Sequence, residues 1–153
     1  MNDPKSVASM FISRWDVAVA EKAPENLRHQ LAIPKRTYNA YRTLIESPRW
    51  LQILNDGARS QRVLWASTGT KDPSASDPLY IKALVAPFTV TTMPASTLIA
   101  LADHGELEGI LSSRGGDFEQ ALSKFANAGI DIGALAIQLQ DEGARSFVSP
   151  GKI

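Results

Sequence analysis

At 153 residues, 44% of them hydrophobic and 21% charged, the chain has the length and composition of one ordinary globular domain. Its 16 basic and 16 acidic residues balance, so neither nucleic acid nor an acidic membrane surface is an expected partner, and a small-molecule site fits better. The absence of cysteine excludes disulfides and thiolate metal sites; His29 and His104 are too far apart in sequence for a local metal motif and read as surface residues.

The amino-terminal Met1-Asn2-Asp3-Pro4-Lys5 carries an acid and a proline, and the apolar stretch Val7–Ile12 is too short for a signal sequence or a membrane span, which predicts a cytoplasmic protein. That stretch, within Ser6–Arg14, is β-like and turns polar at Ser13 and Arg14. Its end reads either as part of a site or as an edge strand whose arginine is simply solvated.

From Asp16 to Gly57 the pattern is helical. Lys35 to Ile45 places Tyr38, Tyr41, Leu44 and Ile45 on one face, and Ser47-Pro48 offers an N-cap and a first-turn proline to a second helix carrying Trp50, Leu51, Ile53 and Leu54. Gly57 is its natural stop. Aromatic residues at this spacing belong to the apolar stripe of a helix covering a sheet, so Tyr38 and Tyr41 are core and not site candidates.

The stretch Arg62–Pro73 is the most informative. Val63, Leu64 and Trp65 suit a parallel strand buried on both faces, and Ser67, Thr68, Gly69, Thr70 and Lys71 form the loop at its carboxyl end. Glycine allows close backbone approach to a ligand and lysine supplies charge, although the same composition also makes a plain turn. Ser74–Pro78 is a loop within the domain.

Asp77-Pro78 then starts a short helix through Leu84, Thr89–Met93 follows as a β-branched strand, and Pro94 opens a helix that runs to Gly105. Strand, loop, helix, strand, helix is the order of consecutive β/α units with a parallel sheet. Asp117 and Gln120 have capping-box spacing ahead of a stripe of Phe118, Ala121, Leu122, Phe125 and Ala126, which Gly129 stops. Asp131 caps a last helix whose apolar face is Ile132, Leu135, Ala136 and Leu139; both helices are assigned to packing.

Four blocks, Ser6-Val-Ala-Ser-Met-Phe-Ile-Ser-Arg-Trp-Asp16, Gln61-Arg-Val-Leu-Trp-Ala-Ser-Thr-Gly-Thr-Lys-Asp-Pro73, Thr89-Val-Thr-Thr-Met-Pro94 and Ala128-Gly-Ile-Asp131, resemble successive blocks of the transaldolases. The similarity is to the larger bacterial kind, some of which are fused to a phosphoglucose isomerase. It implies an α/β fold, a partial (β/α)8 TIM barrel in which residues 1–153 form a single incomplete domain of the last three β/α units plus carboxyl-terminal helices. A complete barrel takes about 250 residues.

The resemblance also implies chemistry: transfer of a dihydroxyacetone unit between sugar phosphates in the pentose phosphate pathway, through a lysine Schiff base, with no metal or organic cofactor. The family's aspartate strand, its Thr-Ser-Asn-Pro motif, its glutamate and its Schiff-base strand have no counterpart here. A truncated or split transaldolase, without catalytic residues and inactive alone, is therefore expected. What the resemblance retains is the substrate-phosphate side: Ser9, Phe11 and Arg14 match the family's Ser-x-Phe-x-x-Arg pattern that grips the sugar phosphate, with Ser67 and Lys71 as a second hand. Thr91 stands where the family carries asparagine. Neither Lys71, beside Asp72, nor Lys82 reads as the Schiff-base lysine.

The competing reading is a non-catalytic sugar-phosphate-binding or interaction module. On either reading both outer strands lack neighbours, which predicts self-association or pairing with a separate chain that carries the missing strands.

Overall fold

The computed structural model describes residues 5–107 and 109–148, so the Met1–Pro4 segment read above lies outside the described residues. Three short runs form strands β1 (Val7–Phe11), β2 (Arg62–Ala66) and β3 (Thr89–Thr91), hydrogen-bonded in that order. Both pairings are parallel, with Ser9 opposite Leu64, Phe11 opposite Ala66 and Trp65 opposite Thr91. Parallel neighbours need long crossovers, and helices supply them.

Between β1 and β2 lie α1 (Ile12–Ala20), α2 (Ala32–Ile45) and α3 (Pro48–Asn55), with a short 3-10 turn at Glu25–Leu27. The second crossover is α4 (Leu79–Leu84); α5 (Ala95–His104), α6 (Phe118–Asn127) and α7 (Ile132–Val148) follow β3. The order of elements is the one expected, and the fold is α/β with a parallel sheet. Among the described residues no helix is long and apolar enough to cross a membrane.

Two caps form as read from the sequence. Ser47 Oγ accepts from the Trp50 N–H at 3.2 Å, and Asp131 Oδ1 accepts from the Ala134 N–H at 3.0 Å, each satisfying a donor that the first helical turn leaves unpaired. The capping box at Asp117 does not form. Its carboxylate is held by Lys35 Nζ at 2.6 Å, across from α2, which leaves no side-chain cap on α6.

Alternation along β2 divides its residues between two faces. Val63 and Trp65 are buried under the helices, whereas Leu64 and Ala66 are only half-buried, which corrects the expectation of a strand buried on both sides. The register sets Ser9 and Phe11 on the same uncovered face as Leu64 and Ala66. On the covered face Ile12, Leu31, Tyr38, Val63, Trp65, Tyr80 and Leu84 make one core cluster. A second, among α1, α6 and α7, centres on Val19, Phe125 and Leu135.

The first strand is shorter than the sequence suggests. It ends at Phe11, and Ile12, Ser13 and Arg14 belong to the first turn of α1. A helix can start there because the Ser13 N–H donates to the Ser67 carbonyl at 3.1 Å, so one end-of-helix donor is satisfied from the neighbouring strand's loop.

Candidate functional site

The carboxyl ends of β1 and β2 are tied together. Besides the backbone bond, Ser13 Oγ and Ser67 Oγ are 2.5 Å apart, and Ser67 holds φ at +56°, a left-handed conformation that a serine adopts only when its surroundings impose it. Beyond it, Thr68 is buried and its hydroxyl donates to the Thr92 carbonyl, tying the loop to the end of β3. Gly69 serves packing: a Cβ there would sit 3.1 Å from Pro94 Cγ, a closer approach than an alanine makes comfortably.

Arg14 is exposed, and its guanidinium lies over the Phe11 ring, 4.8 Å from the centroid. Such a contact is worth about 0.5–1 kcal/mol at an exposed site and, more usefully here, limits where the guanidinium can point. Arg14 and Lys71 line one cleft of about 450 Å³, together with Ser13, Gln138 and Ser146. The far wall is α7, where a Cβ on Gly143 would lie 3.8 Å from Arg14 Nη1. Glu21 and Glu142 also line the cleft; Glu21 sits at the opposite end of α1 from Arg14. The positive pole of α1 is therefore at the Arg14 end, which favours an anion there.

Of the five residues singled out from the sequence, the structure places Arg14 and Lys71 in a common cleft, stacks Phe11 on Arg14 and bonds Ser67 to Ser13. Ser9 stays on the exposed face of β1 and does not line that cleft.

A second group of polar residues adjoins the cleft, and sequence reasoning missed it. His29, read as a surface residue, instead bridges two carboxylates: Nδ1 is 2.6 Å from Asp16 Oδ2 and Nε2 is 3.1 Å from Asp72 Oδ2. The Tyr80 hydroxyl donates to the same Asp16 oxygen at 2.7 Å. Asp16 and Tyr80 are buried, and His29 itself sits at φ +58° without being glycine. Asp72 also accepts from the Ser74 N–H at 2.8 Å and the Ser74 hydroxyl at 2.6 Å. By contrast His104 is exposed, as expected, beside Asp103.

The electrostatics follow from these contacts. Burial works against a charged His29, but hydrogen bonds and charge from Asp16 and then Asp72 outweigh it and hold the imidazole above its usual 6.5. Asp72 is pulled down to about 2, first by Ser74 and then by His29. Tyr80 is pushed up by burial and by the Asp16 carboxylate, so it stays a donor. A histidine whose folded pKa is raised gives stability that is complete below 6.5 and is lost as pH rises through the folded value. For Asp72 the sign reverses: its contribution is present above 3.8 and is lost as pH falls towards about 2.

Comparison with known proteins adds to this geometry. A family model described as transaldolase/fructose-6-phosphate aldolase matches residues 1–152. The transaldolase of Parafrankia sp. (strain EAN1pec) is 38% identical over 157 residues, covering 96% of this chain and 42% of its own length. That of Mycolicibacterium smegmatis is 40% identical over 153 residues, covering 93% of this chain and 41% of its own. The transaldolase of Mycobacterium tuberculosis (strain CDC 1551 / Oshkosh) gives the same 40% over 153 residues. The chain thus spans about two fifths of the length of these curated relatives.

Proposed function

Because the chain belongs to the transaldolase/fructose-6-phosphate aldolase family, we propose that these 153 residues are the carboxyl-terminal part of a transaldolase barrel and hold the phosphate of its sugar-phosphate substrate. In this reading β1, β2 and β3 are the last three strands of a (β/α)8 barrel, and the uncovered face bearing Ser9, Phe11, Leu64 and Ala66 looks into its interior. Residues 1–153 form one incomplete domain, completed by strands from outside them, in the same polypeptide or in another chain. The reaction of the whole is transfer of a dihydroxyacetone unit between sugar phosphates, a step of the pentose phosphate pathway in the cytoplasm.

One observation carries the reading: Arg14 and Lys71, from the carboxyl ends of adjacent parallel strands, line a single cleft. Barrels bind phosphate at that end. The planar guanidinium suits two phosphate oxygens at once, the ammonium adds a point charge, and Phe11 fixes the arginine's direction. Neither Lys71 nor Lys82 suits nucleophilic work. An attacking amine is desolvated or has another cation beside it, whereas Lys71 is exposed and precedes a carboxylate, and Lys82 lies within α4. The Schiff-base lysine and its acid/base partners then come with the missing strands, and these residues are inactive by themselves.

Titration calorimetry with fructose 6-phosphate tests the anchor. Each charge-assisted contact is worth about 1.5–3 kcal/mol and less when exposed, so Arg14→Ala and Lys71→Ala should each weaken binding about tenfold. Unchanged affinity in both variants would remove the shared anchor.

A further inference from the structure

His29 joins three parts of the chain beside the anion cleft. Asp16 lies on α1 in the turn that begins with Arg14, Asp72 directly follows Lys71, and Tyr80 belongs to α4. The charged and titratable groups around His29 are Asp16 from α1 and Glu21 just past its end, Lys71 and Asp72 from the β2–α4 loop, Tyr80 from α4, and its own neighbour Arg28. Lys71 lines both this pocket and the cleft that holds Arg14.

The two contacts of His29 dictate its charge. A neutral imidazole has one N–H, so only the cation donates to both carboxylates at once. When the proton leaves, the buried and shorter contact to Asp16 at 2.6 Å keeps the N–H, and a lone pair on Nε2 then faces the Asp72 carboxylate at 3.1 Å. That side becomes repulsive. Ser67 stays bonded to Ser13, but the Asp72 end of the loop loses its link through His29 to α1, and the Asp72 carboxylate oxygen freed from the imidazole, adjacent in sequence to Lys71, competes with any anion for the ammonium.

Resting on the phosphate reading of Arg14 and Lys71, we infer that His29 is a positioning residue for that site: its imidazolium clamps the Asp72 end of the loop so that Lys71 stays in place across from Arg14. Substrate phosphate is held tightly while the clamp is charged and weakly once it is neutral. Because the folded imidazole is held above its usual 6.5, the grip loosens at a higher pH than a free histidine would set. The site thereby has a built-in pH dependence whose source touches no substrate.

The test is fructose 6-phosphate affinity of the full chain and of His29→Gln, measured by calorimetry from about pH 5, below the ordinary histidine range, to about pH 9, above it. The ratio of the two affinities cancels the ligand's own ionisation. It is expected to be about tenfold in favour of the parent at the acid end, the loss of one charge-assisted hydrogen bond, and to fall to about one at the alkaline end. Asp72→Asn, which removes the other half of the clamp, should give the same flattened profile and serves if His29→Gln does not fold. A ratio that is constant with pH overturns the clamp and leaves the phosphate site standing. No binding by the parent at any pH overturns the phosphate reading and the clamp with it.

Discussion

Trp65→Ala is expected to abolish the cooperative melt of this chain. Trp65 stands on the central strand, is 1% exposed, and packs among Ile12, Leu31, Tyr38, Tyr80 and Leu84, elements drawn from both crossovers and the intervening connector. Its indole N–H donates to the Leu84 carbonyl at 3.1 Å, so truncation both opens a cavity and orphans an acceptor. A buried tryptophan cut to alanine costs about 3–5 kcal/mol, against a net stability of about 5–15 kcal/mol for an ordinary domain. A sheet that has three strands, and no further one on either edge, among the described residues lies towards the low end of that range. Circular dichroism melts should show a sloping, non-cooperative loss of signal for the variant. A sharp transition within a few degrees of the parent would mean that the cluster among α1, α6 and α7 holds the fold without the sheet.

Supplying the missing strands is expected to turn an inactive, self-associating chain into an active one. The edge strand β1 leaves Val7 40% and Phe11 46% exposed, and β3 has no strand on its far side among the described residues. Unpaired edges of this kind recruit another strand. Alone, the chain should scatter light as oligomers; mixed with the preceding portion of a related transaldolase, it should elute as one defined complex that transfers dihydroxyacetone from fructose 6-phosphate to an aldose phosphate. A monomer with a concentration-independent melt, and no activity in the mixture, would show that the helices already protect both edges and that the barrel reading is wrong.

Features with local causes were legible in the sequence. The strand–helix order and the apolar runs that carry Trp65 and Tyr38 are patterns within single elements, and the caps at Ser47 and Asp131 join residues three apart. Features set by distant partners were not. Asp117 has the spacing of a capping box, yet Lys35, 82 residues away, takes its carboxylate. The start of α1 moves back to Ile12 because a carbonyl on the neighbouring strand's loop, at Ser67, receives the Ser13 N–H.

His29 is the clearest case. Its partners are 13 and 43 residues away, and nothing in the run Arg28-His29-Gln30 announces them. The buried Asp16, lying two positions after the exposed Arg14, gives only a weak signal that a polar partner waits inside. Arg14 and Lys71 stand out for another reason: they follow the ends of two strands, and a strand's end can be read locally even when what it faces cannot.

Borohydride reduction of the chain in the presence of fructose 6-phosphate, read by intact mass and peptide mapping, separates holding the phosphate from performing the covalent chemistry. The expected spectrum shows the unmodified mass, from a sample that binds the same sugar phosphate in the calorimeter. Stoichiometric trapping on Lys71 or Lys82 would contradict this, and would mean that the nucleophile lies within these 153 residues and that they carry out the first half of the transfer unaided.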